Sequence, residues 1–243
     1  FSLEITSFEG ELHFYLRTIA HFRNMIEAAI YSQYPQAEIF EVEDYTVNVP
    51  MFVPNETHDL FGSEFKLARE DAYPIRTYEA FEFKVENKEG MSNISNVDPL
   101  AGVVETMTKL REGEQAWIQI LVRGHGEEWL KAGRLFKKPD WKAEAKKEID
   151  KIMKRDKKPA PGEFLNLAEL SLTKGERSTA EAIERSINKY AFDTMIRAFY
   201  ISTVEAFNNF NITGLIGSVR QYNSQELNGL KLGWYTDFRD PTK

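Results

Sequence analysis

The order in which the hydrophobic period changes along the chain limits its fold more than any other feature. Three times, apolar and polar residues alternate as in a half-buried strand and then give way to a helical stripe. The first two times, a further strand-like stretch follows. Residues 1–19 predict a hairpin, with Leu3 and Ile5 before a turn at Glu9-Gly10-Glu11 and Leu12, Phe14 and Leu16 after it. Phe22, Met25, Ile26, Ala29 and Ile30 then fall on one helical face, and Pro35 ends that helix. Residues 37–46 return to alternation through Ile39, Val42 and Tyr45, which predicts an acidic strand, and the Pro-bounded stretch 49–54 predicts a connector.

The second pass repeats the order. Residues 64–69 and 75–85 predict strands, and residues 87–96 a polar loop. Asp98-Pro99 is a helix start, with Asp as cap and Pro in the first turn. Leu100, Val103, Val104, Met107 and Leu110 form the buried stripe, Gly113 stops it, and residues 115–123 alternate again. In the last third Thr173 and Glu176 make a capping box for a helix carrying Ala180, Ile183 and Ile187. Residues 192–201 predict a strand. Ser202 to Glu205 look like a second capping box, opening a helix through Val204, Phe207, Asn211, Leu215, Ser218 and Val219, and residues 223–232 predict a last strand.

Together these elements predict an α+β fold: ferredoxin-like (split βαβ) plait halves, with antiparallel sheets packed by helices, plus an inserted basic helix. Three regions are expected. Residues 1–126 hold the two strand–helix–strand passes, residues 127–162 a basic helical insertion and linker, and residues 163–243 a helix–strand–helix–strand unit packed on the first region. A chain of 243 residues with 42% apolar content has material for a real core. It contains no run of eighteen apolar residues, and it lacks cysteine, which removes disulfides and thiolate metal sites and favours a reducing compartment. It opens on Phe1 rather than Met, so a piece of a longer protein is expected.

The net charge of −7 is unevenly spread. Between Lys131 and Lys158 stand twelve Lys/Arg and five acids, so that arm is +7 and the remainder −14. Within it, Asp140 caps a helix whose narrow stripe is Trp141, Ala145, Ile149, Ile152 and Met153. The other face carries Lys142, Lys146, Lys147, Lys151 and Lys154, with Arg155 following. Such a face suits anionic lipid headgroups or a nucleic-acid backbone. Interleaved Glu144 and Glu148 suit instead a solvated helix held by intrahelical pairs.

No catalytic constellation accompanies these elements. A glycine-rich phosphate loop, a Gly-x-Ser-x-Gly elbow and a His-Glu-x-x-His helix are all missing from the sequence. His13, His21, His58 and His125 lie too far apart in sequence for a short-range ligand pair. Glu38, Glu41, Glu43 and Asp44 offer carboxylates for acid–base work, although such alternation more simply marks the wet face of a strand. Gly124-His125-Gly126 reads as a flexible turn or an anion-accepting one. No catalytic residue, cofactor or metal is therefore expected in this chain.

Three stretches carry a family resemblance. The first is Tyr34-Pro35-Gln36-Ala37-Glu38-Ile39 with Val42-Glu43-Asp44-Tyr45. The second joins Tyr73-Pro74-Ile75-Arg76-Thr77-Tyr78-Glu79-Ala80-Phe81 to Asp98-Pro99-Leu100-Ala101 and Gly113-Glu114-Gln115-Ala116-Trp117-Ile118-Gln119-Ile120. The third runs from Leu172-Thr173-Lys174-Gly175-Glu176 through Ala182-Ile183-Glu184 and Phe207 to Gln221-Tyr222-Asn223 and Leu227-Asn228-Gly229. In order and spacing they resemble the amino-terminal, non-motor region of bacterial type IV secretion (conjugative-transfer-like) ATPases from minimal-genome lineages. The resemblance implies a non-catalytic assembly or docking domain at the cytoplasmic face of the inner membrane. Its implied partners are further copies of itself and inner-membrane secretion components. It spans most of the chain outside residues 127–170. The motor's phosphate loop is absent here, so the resemblance brings no nucleotide-binding residue with it.

Overall fold

In a computed structural model, residues 1–50, 52–86, 92–96, 98–125, 141–155 and 172–236 are described. The protein is α+β. Its centre is a six-stranded antiparallel sheet built from β1 (Ser2–Phe8), β2 (Glu11–Arg17), β3 (His58–Leu67), β6 (Glu114–Gly124), β7 (Phe192–Thr203) and β8 (Leu230–Tyr235). The strand order is β2-β1-β6-β7-β3-β8. A separate two-stranded ribbon pairs β4 (Glu82–Glu86) with β5 (Ser92–Asn96). Among the described residues the helices are α1 (Arg23–Gln33), α2 (Ala101–Met107), α3 (Trp141–Ile152), α4 (Lys174–Ile187) and α5 (Asn209–Arg220).

The connections explain the order. The chain leaves β3, passes through α2 and returns as β6, with β7 lying between the two strands. It leaves β7, passes through α5 and returns as β8, with β3 between. Each crossover thus skips one strand, so β3 runs parallel to β6 and β7 to β8 while every hydrogen-bonded neighbour is antiparallel. The strands of the second and third passes interleave in one sheet, and the first pass contributes only the β1–β2 hairpin at its end. The β1–β2 hairpin extends that sheet beyond β6.

The side-chain period of a strand assigns the two faces. One face carries Phe61, Phe65, Ala116, Ile118, Ala198, Tyr200 and Leu230 against Val103, Met107 and Leu110 on and after α2 and Leu215 and Val219 of α5. Met107 and Tyr200 are wholly buried there. Each large apolar side chain removed from water stabilises the fold by about 1.5–3 kcal/mol. The other face is covered by the segment after α1, whose Tyr45 packs with Trp117 and Ile201.

Local chemistry sets the ends of the elements. Asp98 caps the turn before α2 by accepting from the Leu100 N–H at 2.8 Å. Thr173 and Glu176 form the expected capping box of α4. Gly10, at φ 90°, closes the hairpin where a Cβ would lie 2.9 Å from the carbonyl oxygens of Thr108 and Leu110.

Five sequence expectations are corrected. Residues 92–96, expected within a polar loop, form β5. Residues 37–46 form no strand; Asp44 instead caps a 3-10 turn at Tyr45–Asn48 by accepting from the Thr46 N–H. Residues 75–81 are not extended either, since a 3-10 turn at Tyr78–Phe81 precedes β4. The last helix begins at Asn209, not near Val204, because pairing with β3 and β6 carries β7 on through Ser202 and Thr203. Asn208 then takes the cap, accepting from the Phe210 N–H. Finally, residues 223–229 form a loop tied by the buried Asn228, so β8 starts only at Leu230. Of the expected insertion and linker at 127–162, residues 127–140 and 156–162 lie outside the described residues.

Candidate docking surface

The lysine face of α3 stands out in the sequence, and the structure shows what the opposite face does. Ala145 and Ile149 are buried against Ile183 of α4 and against Ala72 and Tyr73 from the loop after β3, flanked by Trp141, Ile152 and Met153. The Tyr73 hydroxyl donates to Glu148 at 3.0 Å. Burial and that carboxylate push the Tyr73 phenol above its usual range. Lys142, Lys146, Lys147 and Lys151 are exposed along the outer side. Lys151 lies 3.4 Å from Glu148, and Lys142 sits over the Trp141 ring at 5.8 Å. Lys154 follows the helix with φ 56°, and Arg155 is exposed beside it. Thr173 hydrogen bonds, assisted by the charge of Lys154, hold the Glu176 carboxyl below its usual range. The basic face is solvated, and the stripe beneath it anchors α3 to the body.

The acidic run does not converge on a site. Glu41 pairs with Arg23 on α1. Asp44 accepts from the backbone and hydroxyl of Thr46, which lower its pKa, and lies 3.6 Å from Arg17. Glu38 and Glu43 point to solvent. Among the described residues no three His, Asp or Glu side chains are grouped to hold a metal ion. His125 meets Asp193 at 2.8 Å through Nδ1, and Arg123 meets the other oxygen of that carboxylate at 2.7 Å. This ties the end of β6 to the start of β7.

A buried polar cluster is not foreseen by any motif in the sequence. Cross-strand pairing aligns Glu4 of β1 with Gln119 of β6, and Gln119 with Arg197 of β7. Glu4 is 6% exposed and accepts from the Ser2 and Tyr45 hydroxyls. The Gln119 amide donates to the Tyr45 hydroxyl at 2.7 Å, and its carbonyl accepts from Arg197 at 2.8 Å. Burial first, and then the hydrogen bond to Glu4, drive the Tyr45 phenol far above its normal range. The ring stacks on Tyr15 at 5.0 Å and meets Trp117 edge-on at 4.9 Å. The cluster pins the segment after α1 to the sheet. Its only sequence signal is a polar residue at an alternating position in each of three strands, and nothing local says that those strands are neighbours.

The surface that stands out is the corner formed by β2 and α1. No residue of α1 is buried, although its sequence carries an apolar stripe. Phe22 and Met25 are exposed, Met25 to 64%, and Ile26 and Ile30 are only half-buried. On β2, Phe14 is 65% exposed, and Leu3 beside it on β1 and Leu16 are exposed too. Exposed apolar residues that share one face, as Leu3, Phe14 and Leu16 do on the hairpin, mark a surface for another macromolecule.

The fold and this surface together define a helix-roofed α+β domain with an added hairpin that presents apolar side chains outward. The chain belongs to the family described as domain of unknown function DUF8128, whose model matches residues 1–230, from β1 to the first residue of β8. No curated protein and no solved structure matches it.

Proposed function

We infer that this chain is a non-catalytic assembly and docking domain of a type IV secretion-like transfer machine, working at the cytoplasmic face of the inner membrane. The observation that carries the reading is α1: an amphipathic helix of which no residue is fully buried among the described residues, with Met25 exposed and Ile26 and Ile30 only half-buried. A helix normally draws most of its stability from burying that face. Such a helix is completed by a partner. The reading also rests on the resemblance of residues 34–45, 73–120 and 172–229 to the non-motor region of such ATPases. Strands β8, β3, β7 and β6 with α2 and α5 are taken as a ferredoxin-like plait, to which the hairpin and the basic α3 are additions. No helix among the described residues is long and apolar enough to cross a membrane, so contact with the bilayer would run through partners or through α3.

Sedimentation of the purified chain and co-purification with inner-membrane secretion components test this reading. Self-association or retention of those components is expected; a monomer that retains none of them overturns it. A second reading follows from the exposed Lys142, Lys146, Lys147 and Lys151, which present several cations to meet nucleic-acid phosphates. It requires DNA binding that weakens steeply with salt. Absence of binding at about 50 mM salt eliminates it.

A further inference from the structure

The outer edge of β2 has features that no other part of the sheet combines. In β1, the Phe1 carbonyl accepts from the Val122 N–H, and the Glu9 N–H after the strand donates to the Glu114 carbonyl. Odd-numbered residues of β1 therefore turn their backbone groups toward β6, and even-numbered ones toward β2. Ser2, Glu4, Thr6 and Phe8 pair with Arg17, Tyr15, His13 and Glu11. It follows that the N–H and C=O groups of Leu12, Phe14 and Leu16 face outward. Among the described residues, β1 is the only strand paired with β2.

Natural edge strands are usually blunted by lysine, proline, a bulge or a covering segment. The opposite edge follows that practice: the register between β8 and β3 shifts at Ser63/Phe65, and β8 carries Lys231. β2 does not. Its pairing with β1 is regular over all seven residues, and it contains neither lysine nor proline.

Its sequence, Glu11-Leu12-His13-Phe14-Tyr15-Leu16-Arg17, also has a near-palindromic character. Laid antiparallel on a copy of itself about Phe14, it sets Phe14 against Phe14 and Leu12 against Leu16. The same register sets His13 against Tyr15, and Glu11 against Arg17 at both ends. The outward backbone groups belong to Leu12, Phe14 and Leu16, so these positions become the hydrogen-bonded pairs. The exposed Leu3, Phe14 and Leu16 share one face of the hairpin, where Leu3 pairs with Leu16 and Ile5 with Phe14. That face would run on unbroken into the copy.

We propose that β2 is a homodimerisation edge, which joins two copies through antiparallel β2–β2 pairing centred on Phe14 into one continuous twelve-stranded sheet. Oppositely charged ends fix the register, because a two-residue slip removes both Glu11–Arg17 contacts. A two-fold axis through a self-complementary patch makes a closed dimer rather than a filament. The proposal rests on the docking reading above and names the partner as a second copy of this chain.

Sedimentation velocity of the full chain over a wide concentration range provides the test, with four sequences compared. The unaltered chain dimerises. Phe14→Lys places a charge on the axis and weakens the dimer by more than about tenfold. Glu11→Lys sets an ammonium group against the Arg17 guanidinium at both ends and weakens it about tenfold, and adding Arg17→Glu restores it to within about threefold. The Glu11 and Arg17 side chains are 79% and 74% exposed, so these changes leave the fold intact, which circular dichroism checks. Amide exchange gives a second readout: Leu12, Phe14 and Leu16 become protected in the dimer, whereas His13 and Tyr15, already bonded to β1, stay protected in every variant. A dimer indifferent to Phe14→Lys and to the charge swaps overturns the edge pairing, while self-association through another surface stands. A chain that stays monomeric at all concentrations overturns it as well, and the docking reading is then judged on the secretion components alone.

Discussion

The two ends of the central sheet are built from similar alternating sequence yet finish differently. At the β7–β3–β8 end, α2 and α5 roof one face and bury Met107, Leu215 and Val219 on it, and a register shift breaks the outermost pair. At the β1–β2 end no described residue roofs the same face in this way, Leu3, Phe14 and Leu16 are exposed, and the edge is regular. α1, which follows β2 after a short 3-10 turn, has no fully buried residue. Amphipathic sequence alone therefore does not make a core. Burial requires a second layer, and among the described residues the two crossover connections bring one to only part of the sheet.

Mutations at the two ends put that contrast to the test. Met107→Ala, at the roofed end, opens a cavity under α2 and costs about 2–5 kcal/mol in urea unfolding. A loss below about 1 kcal/mol would show that the roof is loosely packed. Glu114→Ala comes next. The Glu114 carboxylate is 3% exposed and accepts from the Tyr200 hydroxyl, the Asn211 amide and the Arg111 N–H. Removing it strands those donors beside the core and costs about 1–3 kcal/mol by the same measurement.

Tyr45→Phe tests the opposite face. It deletes the hydroxyl shared by Glu4 and Gln119 and lowers stability by about 1 kcal/mol at neutral pH. Its pH dependence has a definite sign. Tyr45, Tyr73, Tyr200 and Tyr222 all have raised pKa values, with burial as the first cause. Below about pH 10 both folded and unfolded chains keep these protons, and stability is full. Above it the unfolded chain releases them first, so stability falls as pH rises. Thermal melts should therefore decline steeply in alkali, and less steeply for Tyr45→Phe. An identical slope in the two proteins would remove Tyr45 from the titration.

The smallest effect is expected at the bare corner. Met25→Lys on α1 should change the stability of the isolated chain by no more than about 0.5 kcal/mol. A larger loss would mean that α1 is packed after all.

Signals carried by adjacent residues are legible in the sequence. The hairpin turn at Glu9-Gly10, the Asp98 cap and the Thr173–Glu176 box each form hydrogen bonds or turns within a few residues. Where local signals compete, tertiary pairing wins. Ser202 and Thr203 have the chemistry of a helix start, yet they remain in β7 because neighbouring strands on both sides supply ladder partners. Residues 37–46 alternate like a strand, yet they join no strand edge: Asp44 turns the chain so that Tyr45 packs on the sheet face.

The candidate surfaces divide in the same way. That α3 carries a lysine face and a narrow apolar stripe is visible from periodicity alone. That the Glu4, Tyr45, Gln119 and Arg197 side chains meet is not, because they come from four separate segments brought together only by strand order.

Periods, caps and turns are thus written into the chain itself, since their energies arise between residues close in sequence. Which apolar stripes are buried and which are left outward is settled by tertiary structure. Burial depends on what the rest of the chain lays across a face, and at the β2–α1 corner the described residues lay nothing across it.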